Sequence, residues 1–189
     1  MRLARERKTE KPAVLKIIMN KKHWKKDDSL SKIKELKMSE FENEFWLLKS
    51  LNHPHIGEVI DFQQNGNFYL EDGRVLSASY IATEYFPNGD LFSYVETCGF
   101  FSETLSGFYF KQLISALEYL HQTQSITHRD IKLENVVLDH AFNLKLIDFG
   151  VAIRSITEKK EEKTDKKNKK GEKQREFSYL CGSAKYKLL

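Results

Sequence analysis

The sequence predicts an α+β chain folded as two lobes, and three observations carry that prediction. Residues 1–83 read mainly as strands with one amphipathic helix among them. Residues 91–189 open on a long helical stripe and continue into short strands. Between the two, Thr83-Glu84-Tyr85-Phe86-Pro87-Asn88-Gly89-Asp90 breaks both periodicities at Pro87 and Gly89. Residues 84–90 are therefore the natural connector.

In chain order, Pro12-Ala13-Val14-Leu15-Lys16-Ile17-Ile18 is a short apolar run holding one lysine and bounded by charge, the pattern of a buried strand. A lysine-rich stretch follows. Ser39-Glu40-Phe41-Glu42 has the spacing of a capping box, with Ser39 as N-cap. Phe41, Phe45, Leu48 and Leu51 recur at helical spacing behind it, which predicts a helix over about 39–51. Residues 56–86 alternate as strands do, with Asn65-Gly66-Asn67 and Glu71-Asp72-Gly73 as turns. In the second half, Leu105, Phe108, Leu113, Ala116, Leu117 and Leu120 form a helical stripe over 103–121. Val136-Val137-Leu138 and Leu144-Lys145-Leu146-Ile147 then read as two short strands flanking a turn.

Size and composition exclude several classes. The chain has 189 residues, 40% of them hydrophobic, and at that length a fold buries about 70% of the unfolded surface. No run of about 18 apolar residues occurs, so no membrane span is expected. The basic start, Met1-Arg2-Leu3-Ala4-Arg5, lacks the apolar stretch of a secretory signal. Cys98 and Cys181 stand far apart, which excludes a disulfide scaffold or cysteine-based zinc site and suits a reducing compartment, the cytoplasm. Most of the net charge of +4 sits between Glu158 and Glu176, where nine basic and six acidic residues leave an excess of three. With no apolar side chain to bury, 158–176 reads as a disordered insertion. It lacks the aromatics that stack on bases, so no nucleic-acid partner is expected.

The residues that carry chemistry are His128-Arg129-Asp130-Ile131-Lys132-Leu133-Glu134-Asn135, followed thirteen residues later by Asp148-Phe149-Gly150. A strand-turn-strand unit with polar ends gathers Asp130, Asn135 and Asp148 around one small volume. Two carboxylates, an amide and a lysine suit a divalent cation with phosphate, because Mg²⁺ takes hard oxygen ligands and only one or two protein carboxylates.

His128 to Asn135 matches the H-R-D-x-x-x-x-N loop, and Asp148-Phe149-Gly150 the D-F-G, of eukaryotic protein kinases. The chain resembles a serine/threonine kinase catalytic domain over nearly its whole length. That resemblance implies a bilobal fold, β-rich at 1–83 and helical beyond 91, with ATP and Mg²⁺ as cofactors. Ala13-Val14-Leu15-Lys16 is similar to the family's V-A-I-K strand, so Lys16 would meet the α and β phosphates and pair with Glu44. Taken singly, Lys16 reads as a strand-edge lysine and Glu44 as a solvated helix face; with Asp148 they read as a phosphate clamp. The resemblance further places Thr83, the Glu84 carbonyl and the Phe86 amide against adenine, with Val14 above it. Asp90 takes the ribose position, or caps a helix. Glu134 and Val137 complete the implied nucleotide set.

For catalysis, the resemblance implies Asp130 as acceptor of the substrate hydroxyl proton and Lys132 as the charge that neutralises the transferring phosphoryl group. Asn135 and Asp148 would hold the Mg²⁺. Lys132 two residues after the aspartate is the serine/threonine version of this loop, so the implied partners are ATP and a protein bearing a Ser or Thr acceptor. Arg129 implies control through the activation segment, since a guanidinium there can receive a phosphate.

The chain also departs from the family pattern. No glycine occurs before Gly57, so the glycine-rich loop is missing, and Met1 falls near the residue that roofs the adenine. Cys181-Gly182-Ser183-Ala184-Lys185-Tyr186 resembles the segment before A-P-E, which does not follow; its C-G-S is similar to the calmodulin-dependent and AMP-activated branch. Tyr179 holds the usual phosphothreonine position, with Ser178 beside it as a phosphosite candidate. The sequence is thus expected to be a kinase domain incomplete at both ends. The alternatives are a kinase-like binding or scaffold module and an incomplete gene model with little activity of its own.

Overall fold

The computed structural model describes residues 1–6, 9–19, 28–69 and 75–155, with backbone alone at 19, 28–37, 67–69 and 75–76. It is α+β, with a four-stranded antiparallel sheet in the first half. Strand β1 (Arg2–Arg5) pairs with β2 (Pro12–Met19), and β2 pairs with β4 (Val75–Glu84), which pairs in turn with β3 (Val59–Tyr69). The β2–β4 register sets Val14 opposite Thr83 and Lys16 opposite Ile81. Asn65-Gly66-Asn67 is not a hairpin turn. It lies inside β3, where the register slips between Gln63 and Gly66 and Asn65 takes a left-handed φ of 54°. Asparagine tolerates that conformation, and the extra residues form a bulge. Glu71-Asp72-Gly73 lies outside the described residues, bracketed by the Tyr69–Val75 pair.

Helix α1 spans Asp28–Lys49, beginning well before the expected start. Asp28 and Ser29 supply a start of their own, and Leu30, Ile33 and Leu36 carry the helical spacing up to Phe41 through Lys and Glu, both good helix formers. Ser39 is consequently interior to the helix rather than its cap. The C-terminal part of α1 serves two cores. Phe41 and Phe45 pack with Ile81 under the sheet, Phe45 stacked on Phe62 at 4.1 Å between ring centroids. Leu47 and Leu48 turn instead to the larger cluster, which runs into the second half.

That second half begins with α2 (Leu91–Cys98), capped by Asp90, and α3 (Glu103–Glu118), capped by Ser102. One wider helical turn, Tyr119–Thr123, prolongs α3. Short strands follow: β5 (Ile126–Thr127) pairs with β8 (Ile153–Arg154), and β6 (Val136–Leu138) with β7 (Leu144–Leu146). Leu120, Ile126, Leu138, Leu146 and Phe149 form the buried heart of this half. On the outer side of α3, Phe108 and Phe110 are 49% and 61% exposed, so part of the apolar stripe faces outward. No helix among the described residues is long and apolar enough to cross a membrane. Tract 158–176, Ser178, Tyr179 and Cys181 lie outside the described residues.

Residues 50–58 lock the halves together. Ile56 forms a parallel bridge with Leu146, the Gly57 N–H donates to the Leu146 carbonyl at 2.9 Å, and the Leu146 N–H donates to that of His55 at 2.9 Å. His53 stacks on Tyr119 at 5.1 Å, and the Asn52 N–H donates to the Tyr119 hydroxyl at 3.0 Å. Ile56, buried in the shared cluster, makes this joint testable. Ile56→Ala should destabilise the chain by about 2–5 kcal/mol in urea unfolding, and a loss under about 1 kcal/mol would contradict a continuous core.

Candidate active site

A cleft of about 200 Å³ opens between the halves. Its inner wall is apolar, with Val14, Val137, Ile147 and Phe86, and its charged side carries Lys16, Glu44 and Asp148. Alternation along β2 puts Val14 and Lys16 on the same face, and cross-strand pairing adds Thr83 beside Val14. Glu84, Tyr85 and Met1 also line the cleft. The Phe86 N–H has no hydrogen-bond partner among the described residues.

Lys16 is the electrostatic centre. Its Nζ lies 2.9 and 2.6 Å from the two carboxylate oxygens of Glu44 and 3.3 Å from Oδ1 of Asp148. Burial pulls the ammonium down, but the charges of Glu44 and Asp148 outweigh it and its pKa stands above the ordinary value. Burial pushes the Glu44 carboxyl up, with Lys16 pulling against it. Removing Lys16 would therefore leave a carboxyl, only 5% exposed as a residue, without its counter-ion. Lys16 and Asp148 each keep 33% of the side chain exposed, enough to reach a bound group.

Asp148 holds a left-handed φ of 63°, a costly conformation for a residue with a Cβ. Its neighbours enforce it. A Cβ on Gly150 would come 3.2 Å from Asp148 Oδ1 and 3.4 Å from Lys16 Nζ, so the glycine leaves the space into which the clamp closes. Phe149 is fully buried and meets His128 edge-on at 4.6 Å. His128 Nδ1 accepts from the Asp130 N–H at 3.3 Å, so Nε2 carries the proton and donates to the Ile147 carbonyl at 3.0 Å. One neutral imidazole thus ties the loop at 130 to the strand end at 147.

The second group forms on that loop. Lys132 Nζ lies 2.7 Å from Asp130 Oδ2, and the Asn135 amide donates to the Asp130 carbonyl at 2.9 Å and to Oδ2 at 3.0 Å. The hydrogen bond to Asp130 raises the Lys132 pKa, with burial opposing it. The Ile147 N–H donates to the Asn135 carbonyl at 3.0 Å, which sets Asn135 directly against the residue before Asp148. The side-chain oxygens of Asn135 and Asp148 are hard donors of the kind that could hold Mg²⁺ shared with phosphate. Arg129, also left-handed at φ 67°, donates from Nε to the Val151 carbonyl.

Five sequence candidates are off the cleft lining: Asp130, Lys132 and Asn135, which form the second group on the adjoining loop, and Asp90 and Glu134. The Asp90 carboxylate caps α2, accepting from the Ser93 N–H at 2.8 Å. Oε2 of Glu134 is buried without a hydrogen-bond partner. Several wall residues carry no motif signal, Ile147 and Gly57 among them. Ile147 follows from period-two alternation after Leu144 and Leu146, which point into the core. Gly57 has no signal at all, because only the packed structure shows what presses on it.

A family model for the protein kinase domain matches residues 1–186, and the chain belongs to that family. Among curated relatives it is 37% identical over 109 residues to NUAK family SNF1-like kinase 2 of Rattus norvegicus, covering 58% of this chain and 16% of the relative. It is 32% identical over 150 residues to serine/threonine-protein kinase SIK2 of Gallus gallus, covering 79% and 16%. It is also 32% identical over 163 residues to human 3-phosphoinositide-dependent protein kinase 1, covering 86% and 26%. The AMP-activated-kinase-related branch is represented among these relatives. The chain spans between 16% and 28% of the length of its first curated relatives.

Burial lowers the pKa of both His128 and His53. Below the ordinary histidine value of 6.5, the unfolded chain therefore binds more protons than the folded one. Histidine-linked stability is full above that value and falls as pH drops through it. The unfolding midpoint should be lower at about pH 5.5 than at about pH 7.5, with a smaller drop in His128→Asn. An unchanged or higher midpoint at the lower pH would contradict the neutral assignment.

Proposed function

We propose that this chain transfers the γ-phosphoryl group of ATP to serine or threonine hydroxyls of a protein substrate. The observation that carries the reading is the Lys16 ammonium bridging Glu44 and Asp148 on the charged side of an otherwise apolar cleft. Purine is apolar on its faces and polar on its edge, and triphosphate is polyanionic. A slot walled by Val14, Val137 and Ile147, next to a Phe86 N–H without a partner among the described residues, suits the base; Thr83 and Glu84 border the same wall. Lys16 meets the α and β phosphates, and Glu44 keeps it aimed. Asp90 and Glu134, both off the cleft lining, complete the nucleotide set, Asp90 at the ribose.

Asn135 and Asp148 are the residues to hold Mg²⁺, which when bound neutralises charge on the phosphates. Asp130 accepts the proton of the acceptor hydroxyl while the oxygen–phosphorus bond to substrate forms and that to ADP breaks. Lys132, hydrogen-bonded to Asp130, offsets charge on the moving phosphoryl group. Arg129 would receive a phosphate on the activation segment and so regulate the site. Membership of the kinase family favours this enzymatic reading over a binding module.

Phosphate transfer from γ-labelled ATP to a mixed Ser/Thr peptide library tests it. Asp130→Asn should slow transfer by about 10²–10⁴-fold, and Asp148→Ala should abolish it. Equal rates in wild type and Asp148→Ala would contradict the proposal for this chain.

A further inference from the structure

Gly57 stands where three constraints meet on the inner cleft wall. It is buried, and its backbone is not in the left-handed region, which among the described glycines holds only Gly89 and Gly99. Conformation therefore does not demand a glycine there. Space does: a Cβ at 57 would lie 3.0 Å from Cγ2 of Ile147 and 3.4 Å from two ring carbons of Phe86.

The backbone at 57 has no room to retreat. Its own N–H is bonded to the Leu146 carbonyl at 2.9 Å. The next residue is pinned twice, the Glu58 N–H to Glu84 Oε2 at 3.0 Å and the Glu58 carbonyl to the Glu84 N–H at 3.2 Å. Ile147 is also fixed, its N–H on the Asn135 carbonyl and its carbonyl on His128 Nε2, both at 3.0 Å. The Phe86 carbonyl accepts from the Gly89 N–H at 3.3 Å, but the Phe86 N–H has no partner among the described residues, so of the three backbones that of Phe86 is the least restrained.

From this geometry we infer that Gly57 is a positioning residue for the nucleotide base. It provides the notch in which the Phe86 ring seats, and the seated ring fixes the connector backbone that faces the base. The inference rests on the reading of the cleft as a nucleotide site. It adds that affinity for the base, as distinct from the phosphates, is set by a residue that makes no polar contact. A Cβ at 57 presses chiefly on the Ile147 side chain and only touches Phe86, whereas a side chain reaching beyond Cβ displaces Phe86, moves its N–H and shallows the slot, with Lys16 and Asp148 left in place.

The test measures binding of ATP and of inorganic tripolyphosphate, each with Mg²⁺, to the full chain and to Gly57→Ala, Gly57→Val and Gly57→Ala/Phe86→Leu. Overpacking at 57 should weaken ATP about tenfold or more in Gly57→Val and less in Gly57→Ala, with tripolyphosphate affinity unchanged. The shorter leucine should restore most of the loss in the double variant. In transfer assays the KM for ATP should rise with kcat little affected. Equal ATP affinity in wild type and both single variants would overturn the inference, as would a parallel loss of tripolyphosphate. A wild-type chain that binds no ATP would instead overturn the nucleotide reading, and the role of Gly57 with it.

Discussion

A carboxylate cannot be buried beside an apolar helix face without a cation, and Glu44 is buried between Phe41 and Leu48 on α1. The cation is Lys16, which reaches it from β2 and at the same time touches Asp148 from the second half. Three separate elements are thus held in one arrangement by one ammonium. The sheet fixes Lys16 through its pairing with Ile81, the helix fixes Glu44 through its packed neighbours, and the His128–Phe149 contact fixes the strand end that carries Asp148. Each of these supports is apolar or backbone-bonded, and the charges ride on them.

The same logic explains where strain is tolerated. Asp148 and Arg129 both hold left-handed backbone conformations, and both lie where the loop at 128–130 meets the end of β7. A conformation of this kind persists only when its surroundings over-determine it. Here they do so through His128, which is bonded at both ring nitrogens, and through Gly150, which lets Lys16 approach. The joint at 50–58 extends this rigidity to the first half. The cleft is therefore bounded by backbone that is hydrogen-bonded on the Gly57 and Ile147 sides, with Phe86 on the side held, among the described residues, only through its carbonyl, which accepts from the Gly89 N–H at 3.3 Å.

Much of this was legible in the sequence because its chemistry is carried by short, ordered motifs. Lys16 in an apolar strand, Glu44 on a helix and Asp148 after a second strand could be paired in advance because together they match one family's motifs, although singly Lys16 reads as a strand-edge lysine and Glu44 as a solvated helix face. Local signals misled where packing prevailed. Ser39 offered a helix start, yet α1 runs through it because good helix formers precede it. Asn65-Gly66 offered a turn, yet the pairing of β3 with β4 continues across it and absorbs the residues as a bulge. Gly57 was invisible, because its meaning lies in Phe86 and Ile147, distant in sequence and close only after folding. Asp90 shows how one residue satisfies two readings: the carboxylate that matches a ribose position is occupied by the N–H of Ser93 as a helix cap.

The central claim is that Lys16, Glu44 and Asp148 form a site for a magnesium-bound triphosphate. Calorimetric titration of ATP into the full chain, with and without Mg²⁺, tests it most directly when repeated on Asp148→Asn. The account predicts tighter binding with Mg²⁺ in the wild type and no such gain in the variant. An affinity indifferent to Mg²⁺ in the wild type, or a gain that survives the loss of Asp148, would contradict it.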